Sequence, residues 1–562
     1  MTTSLNRSDA DARLLLDIEA RFLPESAAEL GVTGVDEAIV DLAPGHVERW
    51  REAHELVKAR LAERLRDEAE AAVHLELEIL RDRTQLNIDA AALTLRLELP
   101  QYDVAKLAFG GVRQLLDDQV ASARWPAALV RLRRYAGREG GAPPVAQLAE
   151  ERVRERLSEA GRLFPFRGDL EKTLASSAAY LDGIAELCVH HRLVGFEDAL
   201  AALRAQVASY EDFLKREILP RARTDFRLPA EIYAYRLRRS GIDMEVEELR
   251  SRARAAFQEI RNEMQALAPL VAREHKLDSS DYREVIQALK REQLDGVAIL
   301  PHYQRRIAQL EELIARHGVV TLPERKMRMR LASEAESAAI PSPYMQPPRL
   351  IGNTGEAGTF VLPLRFPDRP GEAGLNFDDF TYDAASWTLT VHEGRPGHEL
   401  QFATLVERAL PMARTVFAEN SVNIEGWALY CEAEMKPYMP LDGQLISLQH
   451  RLLRAARAFL DPGLHTGDLT PELAARVLSQ DVVLSPGMVR QEVERYTFWA
   501  PAQAPSYFCG YVRLMALRAE VEQAMGARFD RARFHDFILA QGLVPPRLLR
   551  QAALAAFVPG RI

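Results

Sequence analysis

The feature that most constrains this chain is helical periodicity, which dominates its first 325 or so residues. The stretch "HVERWREAHELVKARLAERLRDEAEAAVHLELEILRD", His46 to Asp82, carries apolar residues at helical spacing with no internal Gly or Pro. "GFEDALAALRAQVASYEDFLKREILPRAR" (195–223) and "MEVEELRSRARAAFQEIRNEMQALAPLVAREH" (244–275) are further long amphipathic candidates. "AAALTLRLELPQYDVAKLAFGGVRQLLDDQ" hints at a short extended piece before another helix. No internal repeat is evident, which argues against a solenoid. The expected fold class is all-α.

The pattern changes near residue 336. "AAIPSPYMQPPRLIGNTGEAGTFVLPLRFPDRPGEAGLNFDDF" is rich in Pro and Gly, and within it "GTFVLPLRF" alternates and is β-branched and aromatic enough to be a strand. Helices return after Asp383. This predicts one small β element just ahead of the stretch "TLTVHEGRPGHELQF", Thr388 to Phe402.

With 562 residues, 47% of them hydrophobic, the chain is long enough for a large core and for two or more subdomains. We expect a helical subdomain over 1–225 as a cleft wall or lid, and a second over 226–562 carrying the site. The net charge of −9 is spread without long runs of one sign, which leaves no nucleic-acid footprint. No stretch is apolar enough to span a membrane, and the N-terminus does not read as a signal peptide. Three widely spaced cysteines predict a reducing compartment and no disulfide framework. The expected location is the cytoplasm.

His392, Glu393 and His398 carry the candidate chemistry. A catalytic zinc takes three protein ligands and leaves one position open. In HExxH the four-residue spacing puts both imidazoles on one helical face, with the Glu as general base. Here the spacing is six, which on a regular helix separates the two rings by about 240°. Pro396 cannot donate to the carbonyl of His392, and Gly397 permits backbone angles other residues resist. A bulge at Pro396-Gly397 would bring His398 back to the face of His392. The third ligand is expected from "NIEGWALYCEAEM", where Glu425, Leu429 and Glu432 share one helical face. A Glu beside a Trp on a buried helix needs a partner, either a metal or an Arg.

"HEGRPGHELQ" resembles the HExxPGHxxQ signature of the DUF885 family of bacterial proteins. "EGWALYCE" resembles that family's EGWALYAE segment. "RAARAFLDPGLHTGDLT" matches its RLVVDTGLH segment at Arg457, Asp461 and His465. "EVERYTFWAPAQAPSYFCGYVRLMALR" matches its RYxxxPGQALSYKIG…LR segment at Arg495, Tyr496, Gln503, Tyr507, Gly510 and Arg518. The chain departs from the pattern at Ala502 and Pro505, where the family has Gly and Leu, and at Glu399, where many members carry a second His.

The resemblance implies an architecture similar to the helical gluzincin peptidases, the M32 carboxypeptidase and angiotensin-converting-enzyme group. That means two helical halves around a deep cleft, with a small antiparallel β element and an edge strand beside the metal-binding helix. "GTFVLPLRF" is placed to be that strand, and an extended peptide could pair with it. The implied function is a zinc metallopeptidase of carboxypeptidase or dipeptidase type, acting on a peptide or small amide. It would hold one zinc per chain on His392, His398 and Glu425; cobalt or manganese would also suit these ligands. Glu393 would be the general base, Tyr507 and His465 the oxyanion donors, and Glu432 an acceptor that fixes a ligand tautomer. Arg495 and Arg513 are candidates for a substrate carboxylate, each with a structural ion pair as its plainer role. Two rival readings stand beside this one: a helical binding protein with a non-hydrolytic metal site, and a metal-dependent enzyme acting on a non-peptide amide. The sequence leaves the oligomeric state open.

Overall fold

The computed structural model describes residues 3–294, 296–333, 336–337, 342–363 and 377–558. The protein is mostly α-helical, as expected, with one three-stranded sheet. The helix Ala71–Arg96 runs straight through the segment that hinted at extended structure. Only Glu98 beyond it pairs, in an isolated bridge to Leu163. Helix packing overrides the local alternation of "TLRLEL".

One apolar core is built entirely from residues between Leu42 and Ala222. A second runs from Tyr233 to Cys509, where the 30-residue helix Val246–His275 packs along Leu441–Thr466. A smaller cluster joins Ala12–Leu80 to Ala413–Phe417. Leu441–Thr466 is buried almost continuously from Asp442 to Leu464. A helix surrounded on all sides is normally apolar all round. This one carries His450, Arg454, Arg457 and Asp461 into the interior, and each needs polar partners there.

The sheet comprises β1 (Arg328–Leu331), β2 (Tyr344–Gln346) and β3 (Thr359–Leu362), in the order β1-β3-β2. β3 pairs parallel with β1 and antiparallel with β2, so the sheet is mixed rather than antiparallel. "GTFVLPLRF" does form a strand, over Thr359–Leu362, while residues 364–366 lie outside the described residues. It is not an edge strand. All four residues of β3 are buried and both its sides are paired, so a peptide has no free edge there. The edges belong to β1 and β2, and β2 packs against the turn that carries His392. Among the described residues, no helix is long and apolar enough to cross a membrane. All three cysteines are free and buried.

Candidate metal centre

The helix Asp383–Leu389 does not continue regularly into the histidine segment. It widens into a π-helical turn over Thr390–Gly394, Arg395 is extended, and a new helix begins at His398. π turns recur where a helix must re-aim side chains. A Cβ on Gly397 would lie 2.1 Å from the carbonyl oxygen of His392 and 2.3 Å from that of Val391. Only glycine lets the chain fold back this closely, and the Gly397 amide donates to Val391 at 2.9 Å. The Pro396 carbonyl accepts from Trp427 Nε1 at 3.0 Å, which ties the break to the neighbouring helix Ser421–Met435.

The break brings the two imidazoles together. Their ring centroids lie 4.7 Å apart, nearly perpendicular, and the nearest ligand atoms of His392, Glu393 and His398 all lie within 4.8 Å of one another. Glu425 reaches in from Ser421–Met435. Its Oε2 lies 3.5 Å from His392 Nε2 and 3.3 Å from His398 Nε2. That oxygen is buried and accepts no hydrogen bond of good geometry, while Oε1 accepts from Gln503 Nε2 at 3.5 Å. Burial alone would raise the Glu425 carboxyl, but the two imidazoles outweigh it and hold it well below the usual range. A buried carboxylate oxygen without a proper donor, facing two imidazole nitrogens, fits a divalent cation better than it fits a network of neutral hydrogen bonds.

The other side of His392 is fixed by Glu432, seven residues after Glu425 on the same helix. Glu432 Oε1 lies 2.7 Å from His392 Nδ1, and Oε2 accepts from Thr388 Oγ1 at 2.8 Å. A carboxylate on Nδ1 directs Nε2 toward the cluster. Glu393 borders the same pocket, its Oε1 4.0 Å from His392 Nε2, and burial pushes its carboxyl up.

Tyr507 joins this group. Its ring stacks over His392 at 6.1 Å, and its hydroxyl accepts from Arg495 Nη2 at 3.0 Å. Burial raises its phenol, so the O–H remains available as a donor. Tyr507 and Glu425 are held in register by two glycines. A Cβ on Gly426 would meet the backbone of Gly510 at 2.6 Å, and one on Gly510 would meet the Val422 carbonyl at 2.0 Å. The helices Ser421–Met435 and Ser506–Met525 therefore touch backbone to backbone beside the site.

Two expected residues are not part of the cluster. His465 stacks on Tyr233, and both its ring nitrogens meet backbone, Nε2 at the Tyr496 carbonyl (2.9 Å) and Nδ1 at the Leu228 amide (3.3 Å). It anchors the Arg495–Tyr507 segment and has no nitrogen left for an oxyanion. Asp461 helps in the same way, accepting from Tyr233 and from the Ala502 amide. Arg513 binds Asp243 through Nε at 3.0 Å and lines a separate pocket behind Trp427. It is the plain ion pair.

The histidine of that long helix which does border the pocket is His450, with Arg454 and Arg457 on the same face at i+4 and i+7. Sequence reading passed over His450 and Arg454, and met Arg457 only as a match to a family segment, without a place at the site. The signal was present, since the same face argument picked out Glu425 and Glu432.

Fold and site together define a mostly helical protein with a buried His/His/Glu cluster and a neighbouring carboxylate. The chain belongs to the DUF885 family, "Bacterial protein of unknown function", whose model matches residues 24–552. Two solved structures are similar along nearly their whole length. One, from Colwellia psychrerythraea and described as a candidate lipoprotein, matches with a TM-score of 0.79 and 18% identity, covering 99% of this chain and 100% of that one. The other, a candidate lipoprotein of unknown function from Shewanella oneidensis, gives 0.68 and 17%, with the same coverage. These likenesses establish the fold. A search of curated proteins finds no match.

Proposed function

We propose that the protein is a zinc-dependent hydrolase that cuts a peptide or amide bond with metal-activated water, of the carboxypeptidase or dipeptidase kind. The observation that carries this reading is the position of Glu425 Oε2, buried without a hydrogen-bond donor of good geometry between the Nε2 atoms of His392 and His398. Those three residues would hold the ion. When bound, zinc supplies Lewis acidity toward the scissile carbonyl and lowers the pKa of a water.

The remaining roles belong to the chain. Glu393 borders the pocket and stands farther from His392 Nε2 than Glu425 does, at 4.0 against 3.5 Å. Its carboxylate would take a proton from the attacking water and return it to the leaving amine. Tyr507 O–H would donate to the oxygen on which negative charge develops, with Arg495 holding the phenol in place. Glu432 keeps the His392 ring oriented.

The test is hydrolysis of a panel of short peptides and N-acyl amino acids, before and after removal of metal by chelation. We expect cleavage that disappears on stripping and returns with zinc. Turnover unchanged in exhaustively stripped protein contradicts the reading.

A further inference from the structure

We propose that Arg454, Arg457 and Arg495 form a carboxylate-binding subsite beside the candidate metal centre, so that the favoured substrate carries a free carboxylate next to the bond to be cut. The inference deepens the hydrolase reading and rests on it for the bond, but not for the binding.

Three guanidinium groups line the same pocket as His392 and Glu393. They surround one ring, Tyr507, at 5.7, 4.6 and 5.3 Å from its centroid for Arg454, Arg457 and Arg495. Their internal partners leave donors unused. Arg457 binds Glu492 through Nε and Nη2, at 2.7 and 2.6 Å, and its Nη1 is buried without a partner. Arg454 reaches the His450 carbonyl at 3.3 Å and Glu432 at 3.6 Å, and its Nε is buried without a partner. Arg495 donates to Gln503 and Tyr507, both neutral, and its Nε likewise has none. Arg454 and Arg457 are 6% and 4% exposed, so bulk water does not satisfy these donors.

The charges point the same way. Against the three cations stand Glu492, taken by Arg457 and 3.9 Å from Arg495, Glu432, which also holds His392, and Glu393, which lines the pocket on the His392 side. Asp379, also at the pocket, is taken by Lys290 at 2.5 Å. Guanidinium groups that each keep one N–H without a partner match a carboxylate in sign and can donate to it together. His450, beside them, is pushed down to about 3 by burial and by Arg454, so it stays neutral and adds no repulsion. The carboxylate could be the α-carboxylate of a C-terminal residue or an acidic side chain.

The experiment uses the full chain and three N-blocked dipeptides. One has a free C-terminus, the second is its C-terminal amide, and the third is an amide with Asp after the scissile bond. We expect kcat/KM for one acid-bearing probe to exceed that for the neutral amide by about tenfold or more, the scale of a charge-assisted hydrogen bond. Which probe wins identifies the source of the carboxylate. Arg495→Met should bring the ratio close to one; since Arg495 also holds Tyr507, kcat falls for all three probes, and the ratio between probes, not the rate, reads the subsite. Arg495→Lys should recover part of the ratio, and serves if the Met variant fails to fold. Equal rates for all three probes overturn the proposal.

A second readout does not need turnover. Binding of the N-blocked free acid to metal-stripped protein, by calorimetry, should be weakened about tenfold or more by Arg495→Met. If no probe is cleaved yet binding depends on Arg495, the subsite stands and the hydrolase reading falls. If neither the free acid nor the Asp-bearing amide binds better than the neutral amide, the subsite falls whatever the activity.

Discussion

His392 Nδ1 lies 2.7 Å from Glu432 Oε1, a contact between residues 40 positions apart and on separate helices. Glu432 is fully buried, and a buried carboxylate needs partners. It has them in His392, Thr388 and Arg454. Glu432→Gln keeps the shape and removes the charge. We expect zinc affinity about 10- to 100-fold weaker, as for other carboxylates behind a ligating histidine. Competition with a chromophoric chelator measures it, and unchanged affinity would show that Glu432 only fills space.

Gly397 should tolerate no side chain. A Cβ there would meet two backbone carbonyl oxygens inside 2.4 Å, and backbone cannot yield as a flexible side chain can. Gly397→Ala should destabilise the protein by about 2–3 kcal/mol and reduce zinc content, because His398 follows directly. Urea unfolding with metal analysis tests both. A variant of wild-type stability and full metal content would mean that the turn relaxes without cost.

Glu393 is assigned to proton transfer. Glu393→Gln should keep its metal and lose about 10²- to 10⁴-fold in kcat, the usual span for a general base. Rates within a few-fold of wild type would move the base elsewhere.

The buried Arg457–Glu492 pair should show in acid. Burial would raise Glu492, but Arg457, Arg495 and the Tyr496 hydroxyl bring it down to about 2, against an ordinary 4.5. A depressed carboxylate stabilises the fold fully above about 4.5, and that contribution is lost as pH falls toward 2. The difference amounts to something on the order of 3 kcal/mol. Stability by urea titration should therefore fall between pH 4.5 and 2.5, and fall less steeply in Arg457→Met/Glu492→Met. Equal slopes would show that the pair does not titrate in that window.

Much of this was legible in the sequence, and the remainder was hidden for physical reasons. The helical class follows from local periodicity. The meeting of His392 and His398 follows from a Pro-Gly that a straight helix cannot carry, although the widening lies upstream, at Thr390–Gly394, rather than only at Pro396-Gly397. Strand pairing is non-local, so "GTFVLPLRF" did not reveal that β1 and β2 would cover both its sides. His465 and Arg513 had the right chemistry, but a one-dimensional pattern gives no direction, and their partners Tyr496 and Asp243 are distant in the chain. His450, Arg454 and Arg457 resemble a solvated basic face until their helix is known to be buried on all sides. The reason for Gly426 and Gly510 appears only where their two helices cross.

In the proposed site His392, His398 and Glu425 would hold a metal and Glu393 would not. The most direct test is the zinc content of untagged protein by mass spectrometry, for wild type and four variants: His392→Ala, His398→Ala, Glu425→Gln and Glu393→Gln. With three ligands at one mononuclear site we expect about one zinc per chain in wild type and in Glu393→Gln, and near none in the other three. Zinc at wild-type level in His392→Ala and Glu425→Gln, or its loss from Glu393→Gln alone, would contradict the account.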